Sequence, residues 1–168
     1  MRHAKAERGS GGADRDRPLD ERGRETAPRM GAYLAAEGLR PDAILVSSAR
    51  RTLETWQGVR GALDCTEAET VSALYEAPAS AILDAVRAAS PTAACLLVIG
   101  HNPGIQELAE ELAGTGPEDV LRTMVLQYPT AALAVLDLDV GAWTEVASRA
   151  GRLERFVTPQ DVLEASSD

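Results

Sequence analysis

The sequence predicts an α/β sandwich built on a largely parallel sheet. Three observations predict it. Short apolar runs of strand length alternate along the chain with longer stretches of helical periodicity, the order that βαβ units produce. The hydrophobic fraction is 45% but the aromatic fraction only 4%, so Leu, Val, Ile and Ala must fill the core. The length of 168 residues suits one compact domain spanning residues 1–168.

The elements follow in chain order. Residues 6–18 carry Gly9-Ser10-Gly11-Gly12 among Asp and Arg, a composition that reads as flexible loop. Asp20 offers a helix N-cap. Ala27, Met30, Leu34 and Ala35 then recur at helical spacing, with Gly38 as the stop. Pro28 interrupts that pattern and predicts a kink or an irregular first turn. Ala43-Ile44-Leu45-Val46, between Pro41 and Ser47-Ser48, reads as a buried strand. Residues 49–63 read as a helix closing near Gly61, and Val71 to Tyr75 as a weaker strand. Ala79 to Ala89 is helical, with Ile82, Leu83, Val86 and Ala89 on one face. Ala94-Cys95-Leu96-Leu97-Val98-Ile99 is the strongest strand, and Asn102 to Leu112 follows as a helix with Pro103 in its first turn. Ala131 to Leu138 is another strand, with Trp143 to Ala147 placed beside it. Residues 160–168 form a tail with a short helix.

The net charge of −9 argues against a nucleic-acid partner, because such affinity comes from Lys and Arg neutralising phosphates. The acidity reads as a device for solubility. Cys65 and Cys95 lie in no metal or redox spacing; Cys95 reads as a small buried hydrophobe. A reduced, cytoplasmic, monomeric protein is expected. No run approaches about 18 apolar residues, so neither a membrane span nor a signal segment is expected. No His/Asp/Glu cluster has metal-ligand spacing, and no cofactor is implied.

Only two histidines are present, His3 and His101. Imidazole is the side chain whose unperturbed pKa lies near neutrality, so it serves as nucleophile, base or cation with small environmental help. His101 directly follows the strongest strand, and Ser47, Ser48 and Arg51 follow an earlier one. Ligands of open parallel sheets bind outside the carboxyl ends of the strands, so Arg51 and His101 are placed where they could meet. A guanidinium at a helix N-terminus suits a phosphate, although Arg50-Arg51 alone reads more readily as solvated helix charge. Gly100 is expected to let the backbone turn sharply before His101, which on its own reads equally as a packing histidine.

Four motifs stand in order: Arg2-His3-Ala4-Lys5; Asp16-Arg17-Pro18-Leu19-x-x-Arg22-Gly23; Ser47-x-x-x-Arg51-Thr52-x-x-Thr55-Trp56; and Gly100-His101-Asn102-Pro103. Together they resemble the histidine phosphatase superfamily, and more narrowly its small SixA-type phosphohistidine phosphatases. The resemblance runs from Arg2 to about Leu136. It implies a three-layer α/β/α sandwich of the phosphoglycerate mutase type and a metal-independent phosphatase. His3 is implied as the nucleophile that becomes phosphohistidine, Arg2 and Arg51 as holders of the phosphoryl oxygens, and His101 as the group that stabilises charge in transfer. Such a set suits phosphoryl transfer, which needs an in-line nucleophile and fixed positive charge on the equatorial oxygens. Arg17 is implied at the pocket edge as a substrate contact, against a plain surface charge. Asn102 is either a substrate donor or a helix cap. Glu76 lies roughly where many relatives carry a general acid, and reads equally as a loop carboxylate capping the helix near Ser80.

The resemblance implies a phosphohistidine side chain of a signalling protein as substrate. The alternatives are a small phosphate ester, such as a sugar or nucleotide phosphate, and a phosphate-binding module without catalysis. Relatives carry a short apolar strand before the Arg-His motif, whereas only Met1 precedes Arg2 here. A segment omitted ahead of Met1 is the expected explanation, since without that strand His3 would hang on a free terminus.

Overall fold

The computed structural model describes residues 1–9, 11–63 and 67–165. Cys65, Ser10 and the last three residues of the expected tail lie outside them. Helix α1 spans Glu21–Ala36, strand β1 Ala43–Ser47, α2 Arg50–Arg60, β2 Glu69–Val71, α3 Ala79–Arg87 and β3 Leu96–Ile99. Then come α4 Gly104–Leu112, β4 Ala113–Thr115, α5 Glu118–Leu126, β5 Leu133–Leu138, β6 Gly151–Val157 and α6 Pro159–Ala165. No helix among the described residues is long and apolar enough to cross a membrane.

The strands form two ladders. One has the order β2-β1-β3 and is entirely parallel; the other has the order β4-β6-β5, with β5 antiparallel to β6. The first four residues join them. His3 N–H donates to Gly100 O (3.0 Å) and Gly100 N–H to Met1 O (3.2 Å) on the β3 side. On the β5 side, Arg2 N–H donates to Ala132 O (3.0 Å) and Ala131 N–H to His3 O (2.9 Å). His3 does not hang free: it is bonded through its main chain on both sides. Met1 is buried, and an apolar cavity of about 670 Å³ beside it is lined in part by Leu97, Leu133 and Val135.

Two cores cover the two faces of the sheet. Period-2 alternation sends Ile44, Val46 and Ile99 toward α1, α2 and α6, where Met30, Leu34, Trp56, Val59 and Val162 are buried. Leu45 points the other way, toward Leu83, Val86, Ile105, Leu108 and Met124 of α3, α4 and α5. Each fully buried aliphatic side chain is worth about 1.5–3 kcal/mol. The result is helix, sheet, helix, as expected.

Several details depart from the sequence reading. Helix α1 runs through Pro28 rather than beginning irregularly there; its first N–H groups are capped by Asp20, whose carboxylate accepts from Gly23 N–H at 2.8 Å. The strand expected over Val71 to Tyr75 ends at Val71, and Ser72–Leu74 turn as a 3-10 helix that buries Leu74. Residues Trp143–Glu145 also form a 3-10 turn, with the indole N–H bonded to Ala93 O at 2.8 Å; the neighbour of β5 is β6 instead. Cys95 is exposed, because β3 starts at Leu96 and Cys95 sits in the turn that Asp42 holds. Helix α4 starts at Gly104, after a cis Asn102–Pro103 bond. Gly100 is not in a left-handed turn; its lack of a side chain accommodates Ile105, whose Cγ1 would lie 3.0 Å from a Cβ there.

Candidate active site

The site forms where residues 1–4, β1 and β3 end and α2 and α4 begin. Close packing brings these ends together. A Cβ on Gly23 would lie 2.1 Å from the Lys5 carbonyl oxygen, so glycine lets α1 press directly on the chain after His3. Ala4 N–H donates to Thr55 Oγ1 of α2 (2.9 Å), and the Thr55 hydroxyl donates to Arg51 O (2.6 Å). Thr52 Oγ1 reaches both Ser47 O and Ala49 O at 2.7 Å and so fastens the β1–α2 corner. The repeated threonines of the third motif are thus a scaffold for the two charged motifs.

His3 and His101 face one another with ring centroids 5.3 Å apart. The Nδ1 of His3 lies 2.7 Å from Ala4 O, which can only accept, so Nδ1 carries the proton and Nε2 keeps its lone pair. Burial lowers the His3 pKa to about 4, with the guanidinium groups of Arg51, Arg2 and Arg17 adding to the effect. His101 is 3% exposed. Its Nδ1 accepts from Arg51 Nη2 (3.2 Å), which assigns the proton to Nε2, 2.7 Å from Ser47 Oγ. Burial lowers its pKa to about 3, with His3 and Arg51 as lesser causes. Both rings are neutral at pH 7.

Arg51 is 2% exposed, and its Nη2 lies within ion-pair distance of Glu76 Oε1 (3.5 Å) and Asp14 Oδ2 (3.0 Å). Arg2 Nη1 donates to Tyr128 O at 2.7 Å. The Nε atoms of both arginines are buried with no partner among the described residues. Buried guanidinium N–H groups without acceptors are costly. Arg17 reaches the same neighbourhood through Asp14, with Nε 2.7 Å from Asp14 Oδ1.

The expected site residues are thus largely brought together. Asn102 does not cap α4; its Nδ2 donates to Gln106 Oε1 (3.0 Å) and its buried Oδ1 has no partner among the described residues. Glu76 does not cap α3 but stands at the rim with φ 48° and its carboxylate 59% exposed. Residues 7–9 and 11–16 of the expected loop are exposed, yet the stretch from Asp14 is tied down. Asp14–Asp16 form a 3-10 turn over Arg51, and Arg15 hydrogen-bonds Ser48 and lies above the Tyr75 ring. Asp14 and Tyr75 were not singled out in the sequence. The Tyr75 hydroxyl donates to Asp14 Oδ2 (2.8 Å), and its ring meets His101 edge-on at 5.5 Å. The Tyr75 hydrogen bond, with Arg17 and Arg51, holds the Asp14 carboxyl near pKa 2. An acidic residue inside an Asp-Arg-Asp-Arg run gives no hint of which carboxylate turns inward.

A model of the histidine phosphatase superfamily (branch 1) matches residues 1–79. An uncharacterized protein of Mycobacterium tuberculosis is 33% identical over 162 residues, which cover 95% of this chain and all of that protein. The crystal structure of a protein assigned as the phosphohistidine phosphatase SixA of Agrobacterium tumefaciens is 31% identical and superposes with a TM-score of 0.79 over 95% of both chains. The chain belongs to the histidine phosphatase superfamily. Membership makes it a metal-independent phosphatase with a phosphoglycerate mutase-like fold. A second SixA-assigned structure, from Nakamurella multipartitia, is 29% identical with a TM-score of 0.79, covering 95% of this chain and 93% of that one. An α-ribazole-5'-phosphate phosphatase structure from Escherichia coli, at 16% identity and a TM-score of 0.66 over 95% of both chains, shares the fold alone.

Proposed function

We propose that this phosphatase removes phosphoryl groups from phosphohistidine in a signalling protein, with His3 as the nucleophile. The observation that carries the reading is a neutral His3, protonated on Nδ1 and with its Nε2 lone pair free, whose ring lies 5.3 Å from that of His101 beside the buried Arg51 guanidinium. In the first step the His3 Nε2 pair forms a bond to phosphorus while the substrate P–N bond breaks, its electron pair returning to the leaving imidazole. In the second, water oxygen bonds phosphorus, the His3–P bond breaks, and orthophosphate leaves with the water-derived oxygen. Arg2 and Arg51 neutralise the equatorial oxygens, Arg17 and Asn102 contact the substrate, and His101 supports charge stabilisation through the Arg51 guanidinium that its Nδ1 holds.

The substrate class is supported by the SixA assignments of the two structures at 29–31% identity. It is also supported by the leaving group. A phosphoramidate nitrogen that arrives protonated needs little acid catalysis, and Asp14, held near pKa 2, has no proton to give near neutrality. Glu76 is the carboxylate available to protonate an ester oxygen. Acid-quenched labelling tests the nucleophile: His3→Ala should abolish the acid-labile phosphoenzyme and lower hydrolysis of an aryl phosphate by at least about a thousandfold, as loss of a nucleophile does. Label persisting in that variant would overturn the role of His3. Glu76→Gln should slow alkyl phosphate hydrolysis but leave phosphohistidine hydrolysis unchanged. Esters preferred by orders of magnitude over a phosphohistidine protein would favour the small-molecule reading instead.

A further inference from the structure

Asp14 occupies both Nη atoms of Arg51, the guanidinium to which the proposed function gives the phosphoryl oxygens. Its main-chain oxygen accepts from Arg51 Nη1 at 2.8 Å and its Oδ2 from Arg51 Nη2 at 3.0 Å. Its Oδ1 accepts from Arg17 Nε at 2.7 Å and pairs with Arg17 Nη2 at 2.6 Å. A carboxylate and a phosphoryl group ask the same of a guanidinium: two oxygens against two N–H groups. Arg51 is 2% exposed, and a charge so buried needs a counter-charge. The chain supplies that counter-charge from a loop rather than from a rigid element.

Asp14 lies in a short 3-10 turn held by side-chain contacts, outside the sheet and the long helices. Gly11 lies at φ 94°, and a Cβ at Gly11 or Gly12 would meet nothing within 4 Å, so the backbone before Asp14 has room to pivot. On the other side, the Tyr75 hydroxyl bonds Asp14, and Arg15 rests above the Tyr75 ring while bonding Ser48. These contacts hold Asp14 over Arg51 while its side chain stays 44% exposed to solvent.

We propose that Asp14 is an internal competitor for the phosphoryl site. Its carboxylate must leave Arg51 before a phosphoryl group can bind there, and its return helps to expel orthophosphate after hydrolysis. The residue therefore sets specificity, by making the pocket select against a weakly held free anion in favour of a substrate with further contacts. This inference rests on the phosphoryl site proposed above. It differs in sign from a simple positioning role, in which Asp14 would hold Arg51 ready and its loss would weaken anion binding.

Inorganic phosphate is the probe, and its affinity is read by calorimetry so that no catalytic step is involved. Asp14→Asn, close to isosteric, and Asp14→Ala should each bind phosphate about tenfold more tightly than the wild type, equivalent to about 1.4 kcal/mol. Arg51→Lys in the Asp14→Asn background should abolish the gain. Equal or weaker binding in both Asp14 variants, while binding still depends on Arg51, would overturn the competitor and leave the phosphoryl site standing. Binding indifferent to Arg51 in every protein would overturn the site and the competitor together.

Discussion

At the scale of single residues, the two histidines are defined by what they cannot do. Each is too buried to hold a proton near neutrality; His3 has one ring nitrogen committed to a neighbour and His101 has both. This has a measurable sign. Formation of the phosphoenzyme requires neutral His3, so its single-turnover rate should stay level as pH falls through 6.5, the ordinary histidine value, and decline only near 4. Stability behaves differently. Between about pH 6.5 and 4 the unfolded chain takes up protons that the folded chain refuses at both rings, so stability must fall as pH drops through that window. Urea midpoints at pH 7 and pH 5 check it; an unchanged midpoint would contradict the depressed values. Both histidines were legible in the sequence because they are the only two and because motifs surround them. Asp14 and Tyr75 were not, because their importance lies in which way a loop folds, and neither local composition nor periodicity records that.

At the scale of elements, the motifs act as joints as much as chemistry. Gly23 shows this. Replacing it with Ala should raise helix propensity by about 1 kcal/mol. The new Cβ, however, would lie 2.1 Å from a main-chain oxygen that cannot rotate away, and such overpacking costs about 1–3 kcal/mol or more. The clash should win: Gly23→Ala is expected to lower stability by about 1–2 kcal/mol in chemical denaturation and to reduce kcat by displacing Lys5 and His3. Strands β1 and β3 were readable as short unbroken apolar runs, buried on both faces, and helices α1, α3 and α4 by apolar residues at helical spacing. Helix α5 went unread although Val120, Leu121 and Met124 pack on the core at helical spacing; only Met124 is fully buried, and Val125 and Leu126 are exposed. Strand β6 was missed because Arg152, Glu154 and Arg155 break its apolar run, and pairing with β5 rather than hydrophobicity defines it.

At the scale of the whole molecule, the two ladders are held together through residues 1–4, and the two cores share the sheet between them. We propose that residues 1–168 fold as one domain. Calorimetry should show a single transition whose van't Hoff and calorimetric enthalpies agree; two resolved transitions would count against it. The joining segment has a further consequence. The main-chain N–H of His3 is bonded across the seam to Gly100 O, within the same ladder contacts that unite the halves. That amide cannot meet solvent by fraying of one edge. In deuterium exchange it should be among the slowest in the chain, its protection reporting the full free energy of opening. An atom two bonds from the Cβ of the proposed nucleophile would then serve as a clock for the integrity of the entire protein.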